Sequence, residues 1–181
     1  GRKSGKLLGK KIFKRIHDGF GGSLRVLCSA GDPIKKEVAD FYYAAGFNIM
    51  ITYGASETNI PTIGNTPEDI TTDTCGVPYP AISLKISDEG EMLIKSPYMM
   101  VGYFRDEEAT KEAFDKDGWF RTGDIGSIDE KGHVHVTGRL KENIVLATGK
   151  KIAPDDIEEK YSDLPGVKEL VICGVPVNNA D

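Results

Sequence analysis

Apolar and polar positions follow two different patterns along this chain, and the change falls near Pro61. Before it, residues 24–29 and 47–52 are continuous β-prone runs, as in strands buried on both faces. Between them Val38, Phe41, Tyr42 and Ala45 recur at helical spacing. Asp32-Pro33 offers an N-cap acid and a proline suited to the first helical position, and Gly46 offers a stop. The prediction is a strand–helix–strand unit, hence parallel pairing, with a ligand crevice at the strands' carboxyl ends. Ahead of it Leu8, Ile12, Ile16 and Phe20 step every four residues, predicting an amphipathic helix that ends at Gly21-Gly22.

Beyond Pro61 the runs become short and alternating, at 82–86, 92–95, 125–128 and 133–136. Turns at Asp88-Glu89-Gly90 and Glu130-Lys131-Gly132 separate them, the pattern of antiparallel hairpins in a small barrel or sheet. One helix is expected at 107–114, with acids in its first turn. A polar connector at 138–143 precedes a strand at 144–147, a turn at Gly149, a helix from Pro154 and a strand at 167–174. Met99, Met100 and Tyr103 are expected in the core. His133 and His135 share one face of a strand and read as surface residues, since no further metal ligands cluster nearby.

Composition changes this picture little. With 39% hydrophobic and 28% charged residues, the 181-residue chain is ordinary for a globular protein, and it has no apolar run of membrane-spanning length. Cys28, Cys75 and Cys173 are scattered and odd in number, which argues against a disulfide framework and points to reduced cytosolic thiols. The expected location is therefore cytoplasmic, with a membrane-peripheral one as the alternative. Charge is uneven: Arg2, Lys3, Lys6, Lys10, Lys11, Lys14 and Arg15 all precede the first acid, Asp18. Since the whole carries −5, the remainder after those seven carries −12. The basic helix face is read as solvated surface rather than as a membrane or nucleic-acid contact.

Chemistry concentrates where the second strand ends, at Tyr53-Gly54-Ala55-Ser56-Glu57-Thr58. A tyrosine face stacks on a base, glycine admits close backbone approach, hydroxyls meet a phosphate, and a glutamate holds Mg²⁺. Alone, the hexapeptide reads equally well as a polar strand-to-loop junction. Downstream, Gly118-Trp119-Phe120-Arg121-Thr122-Gly123-Asp124 and Gly138-Arg139-Leu140-Lys141-Glu142-Asn143 follow in order. With SAGDPI at 29–34 and GEMLIKSPYMMVGY at 90–103, these strings resemble the adenylate-forming superfamily of acyl-CoA synthetases, luciferases and peptide-synthetase adenylation domains.

That resemblance implies an α/β plus β fold: the end of a large α/β subdomain at 1–61, a distorted antiparallel β-barrel at 62–140, and the beginning of a small, mobile α+β C-terminal domain at 141–181. It implies a stretch of a longer enzyme, inactive by itself, whose phosphate loop lies upstream and whose adenylating lysine lies downstream. The implied reaction joins a carboxylate to the α-phosphate of ATP with loss of pyrophosphate, then exchanges AMP for the thiol of coenzyme A. By resemblance Tyr53 stacks on adenine, with Gly31, Asp32 and Pro33 as the wall opposite. Gly54 shapes the turn, Ser56 touches the α-phosphate in place of the family's usual threonine, and Glu57 binds Mg²⁺. Asp124 accepts both ribose hydroxyls, with Arg139 as its cationic partner; the alternative is a surface ion pair. Trp119 and Phe120 seat the Asp124 loop by packing. Lys141 is the hinge, and Gly149 lines the passage for coenzyme A. The opening segment looks most like long-chain fatty-acid–CoA ligases, so the expected substrate is a fatty acid. A peptide-synthetase adenylation domain and a non-catalytic AMP-binding scaffold are the alternatives. Oligomeric state is left open.

Overall fold

A computed structural model describes residues 8–141, 144–146, 151–152, 154–161 and 164–174. Residues 8–12 are helical and lead into α1 (Lys14–Gly19). The buried face of this helix is not the predicted stripe. Leu8 and Ile12 are 60% and 66% exposed, while Gly9 and His17 are buried. A Cβ on Gly9 would lie 2.2 Å from the Ala44 carbonyl oxygen, so glycine is what lets the two backbones approach. His17 stacks on Phe47 at 3.9 Å and places Nε2 2.9 Å from the Ala45 carbonyl. An imidazole lies flat on an aromatic ring while its edge bonds a helix end, a role that apolar periodicity does not register.

The strand–helix–strand unit forms as predicted. β1 (Leu27–Ser29) and β2 (Ile49–Tyr53) pair in parallel, Leu27 beside Ile49 and Ser29 beside Ile51. α2 (Lys36–Ala44) joins them but starts later than Asp32-Pro33 suggests. Lys35 is still extended, and the helical bonds begin from its carbonyl, to Val38 N at 3.0 Å and Ala39 N at 3.1 Å. Asp32 and Pro33 therefore stay in the loop. The helix turns Ala39 and Ala45 inward and leaves Val38 and Phe41 largely outside, so its stripe is also rotated from the predicted one. It ends as glycine dictates: Gly46 has φ +94°, its N–H meets Tyr43 O at 3.1 Å, and Phe47 N–H meets Tyr42 O at 3.0 Å.

Two short strands, β3 (Ile63–Gly64) and β4 (Val77–Pro78), extend the first sheet antiparallel in the order β1-β2-β3-β4. The second sheet is an open antiparallel meander of β5 (Ser83–Ile86), β6 (Glu91–Lys95), β7 (Phe120–Ile128) and β8 (Val134–Arg139). The predicted turns hold, with Gly90 at φ +89° and Gly132 at +84°. The sheets meet where Val134 exchanges hydrogen bonds with the 75–76 segment, Cys75 N to Val134 O at 2.9 Å and Val134 N to Gly76 O at 2.8 Å. Beneath that seam Ile63, Met92 and Val134 are wholly buried, with Tyr53, Cys75, Leu84, Ile86 and Val136 packed against them. Gly76 sits there at φ +83°, and a Cβ on it would fall 2.2 Å from Gly64 C; no larger residue fits.

α3 (Glu107–Glu112) is capped by the Asp106 carboxylate, which accepts the Ala109 N–H at 2.9 Å. After β8 come an antiparallel pair, β9 (Ile144–Val145) and β10 (Lys151–Ile152), and α4 (Pro154–Tyr161). The strand predicted at 167–174 is absent among the described residues. Val167 and Val171 are exposed there, and the Ile172 N–H bonds the Glu158 carboxylate at 2.7 Å instead of a neighbouring strand. No helix among the described residues is long and apolar enough to cross a membrane.

His133 is buried between two carboxylates rather than displayed on a strand. Its Nε2 lies 2.7 Å from Asp69 and its Nδ1 3.2 Å from Asp129, so it clamps the 66–69 turn to the β7–β8 hairpin. The bond to Asp69 leads the effects that raise its pKa above the ordinary 6.5, against opposing desolvation. For Asp129 burial pushes upward, but the N–H groups of His133 and Lys131 and the His133 ring leave it below the ordinary 3.8. A raised histidine stabilises the fold below about pH 6.5, and that contribution is lost as pH rises through its folded value. A lowered aspartate contributes above its unfolded value and loses this as pH falls through the folded one. The clamp should thus be strongest between the two ordinary values. His133→Gln should lower Tm at about pH 5.5 by roughly 2–4 °C, the effect of one net hydrogen bond in a chain of this size. The deficit should shrink near pH 8. Thermal melts followed by circular dichroism test this, and an unchanged deficit at both pH values would show that the clamp is not ionic.

Candidate active site

β2 delivers the chain to Gly54, where a Cβ would stand 2.9 Å from Pro61 Cα and 3.0 Å from the Ile60 carbonyl oxygen. The returning segment passes too close for any side chain. A short 3₁₀ turn, Ser56–Thr58, follows. It is locked by the buried Thr58 hydroxyl, which lies 2.7 Å from Ala55 O and 2.8 Å from Ile60 O and accepts the Ala55 N–H at 3.1 Å. Asn59 then takes the left-handed conformation, φ 59°, and its amide donates to Tyr98 O at 2.8 Å.

Successive residues of a strand face opposite sides, so Thr52 and Tyr53 divide the site. On the Thr52 side is a cleft of about 390 Å³ lined by Gly31, Gly54, Ala55, Ser56 and Pro61 among others. Tyr53 is outside that lining. Its ring packs on the seam core, and its hydroxyl donates to Asp124 Oδ2 at 2.5 Å across to the second sheet. Burial first, and then this bond, push the phenol's pKa well up, so it remains a donor.

Asp124 comes from β7, opposite Arg139 of β8. It is 8% exposed. Gly123 precedes it at φ +71°, a conformation that costs glycine little. Around this turn the Thr122 hydroxyl accepts the Asp124 N–H at 3.0 Å, and buried Glu91 accepts the Gly123 N–H at 2.9 Å. Arg139 Nε is 3.4 Å from Asp124 Oδ1, with its side chain 64% exposed. Such a pair adds little stability by itself, and an exposed guanidinium is free to meet a further acceptor. Leu140 N–H ties the end of β8 back to Gly123 O at 2.7 Å, and Lys141 follows, exposed, in a turn.

Tyr53, Asp124 and Arg139 thus meet at one point, while Gly31, Gly54 and Ser56 share the cleft. Asp32 and Pro33 are exposed at the loop after β1. Gly149 lies outside the described residues. Phe120 is buried, while Trp119 is half-buried with Lys85 Nζ 4.4 Å and Lys95 Nζ 5.3 Å from its ring centroid. The Glu57 carboxylate has a partner of its own, for Tyr103 O–H donates to its Oε1 at 2.7 Å. Tyr103 is 39% exposed, so it is not core. Sequence reasoning also missed Glu91, whose partner is distant in sequence. Among the described residues, no cluster of three or more His, Cys, Asp or Glu could hold a metal. Glu57 alone fits magnesium in its usual manner, one carboxylate completed by phosphate oxygens and water.

Similar proteins carry the same arrangement of chain. A long-chain-fatty-acid–CoA ligase, FadD15 of Mycobacterium bovis, is 39% identical over 163 residues, covering 90% of this chain and 27% of that protein. The chain therefore spans about a quarter of that relative's length. Two structures of o-succinylbenzoate-CoA synthetase (MenE) from Bacillus subtilis superimpose well. The complex with the acyl-adenylate intermediate gives a TM-score of 0.76 at 25% identity, covering 89% of this chain and 36% of that one. The complex with ATP and a magnesium ion gives 0.70 at 28%, covering 80% and 32%. Residues 6–104 match the AMP-binding enzyme family, and since that span is more than half of the chain, this protein belongs to that family.

Proposed function

We propose that the protein containing this chain is an ATP-dependent fatty acid–CoA ligase. The observation that carries this reading is the Asp124 carboxylate, held by Tyr53 on one oxygen and flanked by Arg139 on the other. A buried carboxylate so oriented keeps lone pairs for a ribose diol. Tyr53, bonded to Asp124, is then fixed beside the nucleoside, with Gly54 and Ser56 near the α-phosphate. The apolar cleft lining beside Ser56, with Ala55 and Pro61, suits an acyl group whose carboxylate approaches that phosphate. Its oxygen bonds phosphorus as the bond to pyrophosphate breaks; then the sulfur of coenzyme A bonds the acyl carbon and AMP leaves. The protein's part is positioning and charge stabilisation. A magnesium ion held by Glu57 would neutralise phosphate charge when bound. FadD15, a fatty-acid–CoA ligase, supports the substrate class, and the free thiols Cys28, Cys75 and Cys173 suit a cytoplasmic location. We divide the chain functionally at 1–61, 62–140 and 141–181, with Lys141 as hinge.

Three experiments on the full-length protein test these roles. Asp124→Asn should weaken AMP binding by roughly 10- to 100-fold, the loss of one or two charged hydrogen bonds. Asparagine still accepts from Tyr53, so the seam is kept; an unchanged Kd in calorimetry would remove Asp124 from the site. Glu57→Gln should raise the magnesium concentration needed for pyrophosphate exchange, since an amide is a poor ligand for a hard cation. AMP binding should change less, and equal losses would indicate structural damage. Lys141→Pro fixes φ near −65° and restricts Leu140, which is already bonded to Gly123. Fatty-acid-dependent pyrophosphate exchange should persist while thioester formation falls by orders of magnitude. Parallel loss of both, or of neither, would move the hinge elsewhere.

A further inference from the structure

We infer that Tyr103 is a positioning residue for the metal site: its hydroxyl fixes the Glu57 carboxylate so that the second oxygen is presented to a divalent cation bound with the nucleotide. This rests on the assignment of Glu57 as the metal ligand. In the segment carrying Tyr103, Val101 and Phe104 are 105% and 87% exposed while Met99 and Met100 are half-buried. Polar contacts hold it against the 56–59 turn. Met100 N–H meets Glu57 O at 2.7 Å, Asn59 Nδ2 meets Tyr98 O at 2.8 Å, and Tyr103 O–H meets Glu57 Oε1 at 2.7 Å. Two of these three end on Glu57 itself.

The donor is anchored from behind. Tyr103 N–H meets the Thr110 hydroxyl at 2.9 Å, and that hydroxyl meets Asp106 O at 2.7 Å, so the tyrosine backbone is pinned to α3. Gly102 makes this close approach possible; a Cβ on it would be 2.9 Å from Thr110 Cγ2. A pinned donor restricts a glutamate that otherwise has several rotamers to lose on metal binding. It occupies one of about four lone-pair sites on the carboxylate. Oε2 stays available, and carboxylates that ligate metals are commonly held by such outer hydrogen bonds.

The test is binding of Mn²⁺, an oxygen-seeking probe for magnesium sites, to the full-length protein with ATP present, read by electron paramagnetic resonance. Tyr103→Phe keeps the ring and removes only the hydroxyl. Mn²⁺ affinity should fall by roughly 10- to 100-fold, while metal-free AMP affinity stays within about two-fold. Unchanged Mn²⁺ affinity, or equal loss of Mn²⁺ and AMP, overturns the inference. Glu57→Gln run in parallel separates the two levels. If it leaves Mn²⁺ affinity unchanged, Glu57 is not the ligand and the assignment beneath fails with it. If it weakens Mn²⁺ while Tyr103→Phe does not, only the role of Tyr103 is rejected.

Discussion

The structure depends on one hydrogen bond, from the Tyr53 hydroxyl to the Asp124 carboxylate. It joins the last residue of a parallel-paired strand to the middle of an antiparallel sheet, over a core in which Ile63, Met92 and Val134 are wholly buried. A carboxylate this enclosed is costly without partners, and it has two, Tyr53 from the first sheet and Arg139 from β8, while Thr122 and Glu91 shape the backbone around Gly123. The same bond couples the two groups. The aromatic ring cannot swing away without unpairing the acid, and the acid cannot turn without unpairing the phenol.

Much of this was legible in the sequence, for local reasons. Strand and turn signals depend on neighbours, so Gly90 and Gly132 marked real hairpins and Gly46 a real helix end. Tyr53, Asp124 and Arg139 were legible only through the resemblance of their motifs, because 71 residues separate the first two. What failed was whatever needs knowledge of the other side of a contact. Gly9 and His17 form the buried face of the first helix, yet neither looks apolar. Tyr103 was expected in the core, and Glu91 carried no signal of its own beyond its place in the 90–103 string. Their hydrogen-bond partners, Glu57 and Gly123, lie 46 and 32 residues away. The strand expected at 167–174 shows the same limit: β-propensity without a pairing edge does not make a strand.

The site also divides labour in a way the motifs do not announce. Asp124 sits on a rigid ladder between two strands, where register fixes its position. Glu57 sits on a 3₁₀ turn and is steadied by a loop from the other sheet. A nucleotide bridging them would draw its ribose contact from the rigid part and its metal contact from the braced turn. Lys141 then begins the chain's exit from the ladder, one residue beyond the Leu140 bond.

We propose that the carboxylate at the seam receives a ribose. The direct measurement compares AMP with 2′,3′-dideoxy-AMP by calorimetry on the full-length protein. If Asp124 accepts the ribose hydroxyls, the dideoxy nucleotide binds roughly 10- to 100-fold more weakly, and in Asp124→Asn the difference collapses. Equal affinity of the two nucleotides for the unmodified protein would contradict the claim.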